Sequence, residues 1–322
     1  MTPKSTSRLQ VGTSGYSYPE WVTAGVYAPG IRQADMLTAY ARMFAVVELN
    51  YTWYQMPKAA ATARMSARAP AGFGFAAKLT RTLTHEVDPQ RWLQEAARYR
   101  DGIVPFVQAG QMVAVLAQFP PGFDRSRGHR LYLARLLDAL AGLPLAVEFR
   151  NATWAADSVF AELEARGVTL VSVDEPDLPG LFPALAVVTN PDLFYVRFHG
   201  RNAKGWRSGN MQQQFDYHYS DDLLRQWAAG PIARMAGRTQ RGVIFFNNHV
   251  RGQAVGNALR LVEILRSVGQ SASPMDRTII HLTVADFAVA VERGLDRRLS
   301  ARPVIIAPTA AARAVVYDMS EE

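Results

Sequence analysis

The sequence contains no cysteine in its 322 residues, which excludes a disulfide scaffold, a thiolate zinc site, an iron–sulfur cluster and a cysteine nucleophile. It also lacks an apolar run of the roughly 18 or more residues that a membrane span needs. The polar first residues do not have the apolar stretch of a signal peptide. With 49% apolar and 20% charged residues, the chain is predicted to be a globular cytoplasmic protein with no membrane partner.

Lysine is also scarce, with only 4 lysines beside 31 arginines, and the net charge is +7. The positive charge lies before residue 273, where 29 basic residues exceed 21 acidic ones. A basic surface favours a phosphate-bearing ligand or a nucleic acid as partner. The alternative is an arginine-rich but merely solvated surface.

Short apolar runs alternate with helical patterns along most of the chain. The predicted strands cover residues 9–13, 46–50, 74–78, 111–118, 144–149, 168–173, 193–199 and 242–247. Continuous apolar strands are typical of parallel sheets that are buried on both faces. Eight strand–helix repeats in about 260 residues predict a (β/α)₈ TIM barrel. An open doubly wound sheet is the alternative, but the first turn, GTSGYSY, has no glycine-rich phosphate-binding spacing.

The chain after the barrel has a different pattern. We predict a TIM barrel over residues 1–268, a small-residue linker over 269–275 and a short β-α-β extension over 276–322. Its elements are predicted at 278–282, 287–299, 303–307 and 314–317. This tail is too short to build a hydrophobic core of its own.

Polar residues end almost every predicted strand. In a parallel barrel the carboxyl ends of the strands meet at one mouth, where TIM-barrel active sites lie. The candidate catalytic residues are Glu48, Lys78, Glu148 and His199. Lysine at the end of an apolar strand needs an anionic partner or a lowered pKa, and histidine is the usual proton carrier near neutral pH. The alternative is a salt-bridged rim that only stabilises the fold.

Other residues of the same strand ends and loops are candidates for holding a substrate. They are Arg150, Arg197, Asn247, Asn248, Tyr16, Trp154 and Tyr217. Guanidinium groups bind anions, and loop aromatics stack against sugars or bases. Packing within the loops is the alternative for the aromatics. One of the two asparagines is expected to cap the last barrel helix.

Four basic residues in the loops after the third and seventh strands are candidate nucleic-acid contacts: Arg81, Arg201, Lys204 and Arg207. No metal site is predicted, because His85, His199 and His249 lack the H-x-H or H-E-x-x-H spacing. The sequence does not indicate a cofactor.

Seven ordered motifs between residues 8 and 267 carry a family resemblance. They are VGTSGYSYPEW, VVELNYTWYQMP, FAAKLTRTLTHE, LAQFPPGF, LAVEFRNATW, YVRFHGR and FFNNHVRGQAVGNAL. Together they resemble the YecE-like family, a bacterial TIM-barrel domain of unknown function. The resemblance implies the barrel fold. A further similarity to endonuclease-IV-like barrels suggests nucleic-acid binding, but the chain lacks their histidine-rich zinc cluster.

The tail has a resemblance of its own. The segments RTIIHLTVADFAVAVE, RPVIIAP and RAVVYDMSEE resemble the start of the palm of DinB-type Y-family DNA polymerases. The two metal-binding aspartates of that motif fall on Thr283 and Ala285 here. The tail is therefore predicted to lack polymerase activity, because it cannot hold the two metal ions of nucleotidyl transfer.

Three functional hypotheses follow. The first is an enzyme that acts on a phosphorylated or nucleic-acid-related substrate at the mouth of the barrel. The second is a non-catalytic nucleic-acid-binding module associated with DNA repair. The third is a scaffold that presents the tail to a partner.

Overall fold

The structure, a computed structural model, describes residues 8–270 and the backbone of residues 305–306 and 318–319. Contacts divide the chain into two compact units, residues 1–276 and 277–322. In the second unit, Ile305–Ile306 pairs antiparallel with Asp318–Met319. The strand predicted at 278–282 and the helix predicted at 287–299 lie outside the described residues.

Eight parallel strands form the sheet of the first unit. They are β1 (Arg8–Thr13), β2 (Val46–Leu49), β3 (Gly74–Lys78), β4 (Met112–Gln118), β5 (Leu145–Glu148), β6 (Thr169–Asp174), β7 (Leu193–Phe198) and β8 (Arg241–Phe246). From β2 to β8 each strand pairs with the next strand along the chain, and β8 pairs with β1 over six residues. This order confirms the predicted TIM barrel.

The helices surround the sheet. They are α1 (Glu20–Thr23), α2 (Gln33–Tyr40), α3 (Tyr51–Tyr54), α4 (Ala59–Arg68), α5 (Trp92–Gln108), α6 (Arg127–Ala139), α7 (Asp157–Ala165), α8 (Ala203–Trp206), α9 (Met211–Gln214), α10 (Asp221–Trp227), α11 (Ala233–Ala236) and α12 (Gln253–Ser267). The hydroxyl of Ser220 accepts a hydrogen bond from the Leu223 N–H and caps α10. Within residues 8–270, no helix combines the length and hydropathy that a membrane crossing requires.

The barrel closes differently between β1 and β2 than elsewhere. These strands meet only in the bridge between Ser14 and Glu48. Below that bridge the Tyr40 hydroxyl, from the end of α2, accepts a hydrogen bond from the Thr13 N–H at 2.8 Å and donates one to the Val46 carbonyl oxygen at 3.2 Å. The hydroxyl of the fully buried tyrosine thus satisfies backbone groups of β1 and β2 that do not pair with each other.

Replacing Tyr40 with phenylalanine is expected to lower the free energy of unfolding by about 1–3 kcal/mol. The change keeps the ring but leaves the buried N–H of Thr13 and the carbonyl of Val46 without their partner. Urea denaturation followed by circular dichroism measures the effect. Tyr54→Phe is the matched control, since the Tyr54 side chain is 57% exposed. Equal stability of the two variants would contradict a closing role for the Tyr40 hydroxyl.

The middle of the barrel is filled unevenly. Ala76, Ala114 and Ala146 are fully buried on β3, β4 and β5, whereas β7 and β8 supply Tyr195 and Phe245. The rings of Tyr195 and Phe245 lie 5.2 Å apart. Small residues on one side therefore leave space for large ones from the other, and the Tyr195 hydroxyl reaches the polar layer above.

Candidate functional site

Arg197, on β7, is the centre of a buried ionic layer at the carboxyl end of the barrel. Its Nε and Nη2 donate to the two carboxylate oxygens of Glu48 at 2.9 and 2.7 Å. Its Nη1 donates to Glu148 Oε2 at 2.7 Å. The Ser14 and Tyr195 hydroxyls also donate to Glu48. Both oxygens of Glu48 are therefore occupied by protein donors, as expected for a residue that positions Arg197.

Arg150 forms the second half of this layer. Its Nη1 donates to Glu175 Oε2 at 2.5 Å, and its Nη2 lies 2.9 Å from His199 Nε2. Arg150 Nε lies 2.6 Å from Glu148 Oε1, but neither atom makes a well-directed hydrogen bond. Glu148 is thus shared between two arginines, since Arg197 holds its other oxygen.

Burial and neighbouring charges raise the pKa of some ionisable groups in this layer and lower the pKa of others. Although burial opposes its ionisation, Arg150 and Arg197 hold the pKa of Glu148 well below its usual value. Burial raises the pKa of Glu175 to about 7. Burial, and then the positive charge of Arg150, lower the pKa of His199 well below its usual value. His199 is therefore neutral at pH 7, and its Nδ1 lies 3.1 Å from the amide of Asn247.

Lys78, at the end of β3, stands apart from this network. Its Nζ donates to Gln118 Oε1 at 3.0 Å and lies 5.4 Å from the centre of the Trp53 ring. Among the ion pairs of the described residues, none includes Lys78. Burial, together with the charge of Arg197, lowers the pKa of Lys78 to about 8. Within the described residues the Lys78 amine thus has no carboxylate partner, in contrast to Arg150 and Arg197.

A large cavity of about 1380 Å³ opens above this layer. Its walls carry aromatic rings from several loops: Tyr16, Tyr18, Tyr51, Trp53, Tyr54, Trp206 and Phe215. Its cationic lining residues are Arg64, Arg68, Lys78, Arg150, Arg197 and Arg207. Among residues 8–270, no aspartate or glutamate belongs to the lining, since the carboxylates of the ionic layer lie behind the arginines. The cavity therefore offers cations and flat apolar surfaces.

The structure brings together most of the candidate site residues. Glu48, Glu148, Arg150, Arg197 and His199 form one hydrogen-bonded layer, and Asn247 joins it through His199. Lys78 and Tyr16 line the same cavity.

Three other candidates lie elsewhere. Trp154 is buried between Phe123 and Phe149, with ring centres 5.4 and 4.4 Å away. Tyr217 packs edge-on against Tyr219. The Asn248 amide donates to the Tyr217 carbonyl oxygen.

The expectation that an asparagine caps the last barrel helix was wrong. The residue before α12 is Gly252, in the left-handed conformation with φ of 75°, and it has no side chain to cap the helix. Asn247 and Asn248 instead precede a 3₁₀ turn at Val250–Gly252. Their amides serve the ionic layer and the loop, because the chain turns once more before the helix begins.

The four loop cations also differ from one another. Arg201 donates to both oxygens of the buried Asp174, so its guanidinium group is engaged in an ion pair within the protein. Arg81 forms an exposed ion pair with Glu86 at 3.2 Å. Lys204 is exposed outside the cavity lining, whereas Arg207 belongs to it.

Several lining residues were not among the candidate site residues. Gln118 holds Lys78, and Trp206 lies with its ring centre 5.6 Å from the Arg150 guanidinium carbon. Gln118 ends its strand as Lys78 does, which was the available signal. Trp206 and Phe215 lie in the long segment after β7, where no sequence pattern predicted that their side chains line the cavity. In the described part of the chain, no three His, Asp or Glu residues are arranged to hold a metal ion.

Comparison with known proteins places the fold among described relatives. The family model "Protein of unknown function DUF72" matches residues 10–278. The UPF0759 protein YunF of Bacillus subtilis (strain 168) is 26% identical over 273 residues, which are 80% of this chain and 94% of that protein. The crystal structure of a DUF72 family protein from Thermotoga maritima MSB8 is 33% identical, with a TM-score of 0.73 over 80% of this chain and 99% of that one. A DUF72 family protein from Enterococcus faecalis V583 is 24% identical, with a TM-score of 0.72 over 80% and 95% of the two chains, and supports the fold alone.

Proposed function

The chain belongs to the DUF72 family, and from the geometry of its barrel mouth we propose that this mouth binds a phosphate-bearing ligand. The observation that carries the proposal is the lining of the cavity, to which the described part of the chain contributes six arginine and lysine residues and no acidic one. A surface of one charge sign in a low-dielectric cleft attracts ligands of the opposite sign. Arg150 and Arg197 are held rigidly by buried carboxylates, and preorganised guanidinium groups bind phosphate well.

The walls of the cavity support a ligand that also carries a ring. The rings of Trp53 and Tyr54 meet edge-on at 4.8 Å on one side, and Trp206 lies near Arg150 on the other. Aromatic side chains in such positions stack against bases and sugars. A sugar phosphate or a nucleotide satisfies both features, the cations and the rings.

We assign the chemical role in this site to Lys78. Its amine faces the cavity, and its lowered pKa lets it exchange a proton near neutral pH. His199 is fully buried with both ring nitrogens beside protein groups, so we assign it the positioning of Arg150. Glu48 and Glu148 in turn position Arg197. The mouth is then an enzyme site in which one amine does the chemistry and two arginines hold the anion.

The test is the binding of inorganic phosphate and of AMP, with adenosine as the uncharged comparison, by isothermal titration calorimetry. Lys78→Met is expected to weaken phosphate and AMP binding by about 10- to 100-fold, because a charged hydrogen bond contributes about 1.5–3 kcal/mol. Lys204→Met is the control, since Lys204 is an exposed lysine outside the cavity lining. Unchanged affinity in Lys78→Met, or equal affinity for adenosine and AMP, would contradict the proposal.

A nucleic-acid-binding module is the second candidate, because a volume of about 1380 Å³ exceeds what one small ligand fills. Binding of a single-stranded oligonucleotide that is far tighter than that of AMP and falls steeply with salt would favour it. The YecE-like resemblance remains a prediction. The association with DNA repair rests on residues 276–322, whose predicted polymerase-like pattern falls outside the described residues apart from two short strands.

A further inference from the structure

The environment of Lys78 is unusual for a residue that only binds anions. Its Nζ has one neutral hydrogen-bond acceptor, Gln118 Oε1, and one aromatic neighbour, Trp53. Burial and the positive charges of Arg197 and Arg150 disfavour the ammonium form, and they outweigh the opposing effect of the buried carboxylates Glu48 and Glu148. An amine that is partly desolvated beside other cations is the arrangement that makes lysine a nucleophile.

We propose that Lys78 forms an imine with the carbonyl carbon of a phosphorylated aldehyde or ketone. This inference rests on the proposed function, since the phosphate group is what brings the carbonyl compound into the cationic cavity. It adds the substrate class, a carbonyl compound, and a covalent step at a named atom. Arg150, which lines the same cavity, is positioned to keep the phosphate while Lys78 reacts.

The reaction needs the neutral amine, and the protein supplies it. With a pKa of about 8, roughly a tenth of the Lys78 side chains are neutral at pH 7, against far fewer for an exposed lysine. In the neutral amine, one N–H donates to Gln118 Oε1 and the nitrogen lone pair remains for attack. The iminium product is again a cation, so it continues to attract the phosphate group.

The step balances without an oxidant or reductant. The lone pair of Nζ forms a bond to the carbonyl carbon, and the carbonyl π electrons move to oxygen, which takes a proton from the attacking nitrogen. The resulting carbinolamine takes one more proton from solvent on its hydroxyl group and loses water as the C=N bond forms. An amine, a carbonyl compound and one proton thus give a protonated imine and one water molecule.

Reductive trapping tests the inference on the unmodified protein. The probe is pyridoxal 5′-phosphate at substoichiometric concentration, followed by borohydride, with pyridoxal as the unphosphorylated comparison. The whole chain has only four lysines, Lys4, Lys58, Lys78 and Lys204, so peptide mass spectrometry identifies the modified residue directly. We expect labelling of Lys78 at least about tenfold above each other lysine, tenfold less with pyridoxal, and protection by inorganic phosphate.

The controls separate this inference from the proposed function. Lys58→Arg and Lys204→Arg, both at exposed positions, are expected to leave the labelling of Lys78 unchanged. Phosphate binding by calorimetry without preferential labelling of Lys78 overturns the imine and leaves the phosphate site standing. Labelling of Lys78 that is equal with pyridoxal and insensitive to phosphate overturns the phosphorylated substrate class.

Discussion

Replacing Arg197 with methionine is expected to lower the free energy of unfolding by about 3–5 kcal/mol at pH 7. Methionine fills much of the space but leaves Glu48 and Glu148, both fully buried, without the guanidinium that neutralises them. Removing one partner of a buried ion pair is far more costly than removing the whole network, because an uncompensated charge remains. Urea denaturation at pH 7, followed by tryptophan fluorescence, measures the loss.

The stability of the native protein and that of Arg197→Met should also depend differently on pH. In the native protein the pKa of Glu148 lies below its unfolded value, so its stabilising contribution is present above about pH 4.3 and is lost as the pH falls through the folded pKa. Without Arg197, the pKa of Glu148 in the folded protein is lowered less. The variant should therefore lose less stability than the native protein as the pH falls below about 4.3, and the difference in their free energies of unfolding should narrow.

An exposed arginine provides the comparison. Arg260 pairs with Asp221 and Glu263 on the surface, where all three side chains are at least 38% exposed. Arg260→Met should cost no more than about 1 kcal/mol, as surface ion pairs usually do. If Arg197→Met were as mild as Arg260→Met, the ionic layer would contribute little to the stability of the barrel.

The sequence predicted the barrel well because its strands are buried on both faces and are therefore continuous apolar runs. The strand Gly74–Lys78 was predicted to the residue. The helices are harder to delimit from the sequence, since Trp92–Gln108 contains Pro105, which obscures the helical pattern. Tyr40 could not have been identified, since its bridging role depends on the gap between two strands and not on local sequence.

The candidate site was predicted in part, for a related reason. Parallel closure alone brings Glu148, Arg150 and Arg197 together, so strand ends were a sufficient signal. Strand ends do not tell which atoms remain accessible. Only the geometry distinguishes Glu48, whose oxygens are occupied by Ser14, Tyr195 and Arg197, from Lys78, which faces the cavity.

Replacing Glu148 with glutamine is expected to destabilise the protein and at the same time to strengthen phosphate binding. The free energy of unfolding should fall by about 3 kcal/mol, because Arg150 and Arg197 lose the carboxylate that they share. Phosphate binding should become about 30-fold tighter in the same variant. One negative charge leaves the layer behind the cavity lining, and at an effective dielectric constant near 20 a unit charge about 8 Å from an anion changes the energy by about 2 kcal/mol.

The sign of this second effect separates two roles for Glu148. If the mouth is an anion site built on positioned arginines, Glu148→Gln strengthens phosphate binding while Lys78→Met weakens it, as calorimetry on the two variants can show. If Glu148 itself contacts the ligand, or if its charge is needed to orient Arg150, both variants bind phosphate more weakly. Because glutamine keeps the shape of glutamate and an oxygen that can accept from Arg197, a change in affinity in either direction reports the lost charge and not a lost side chain.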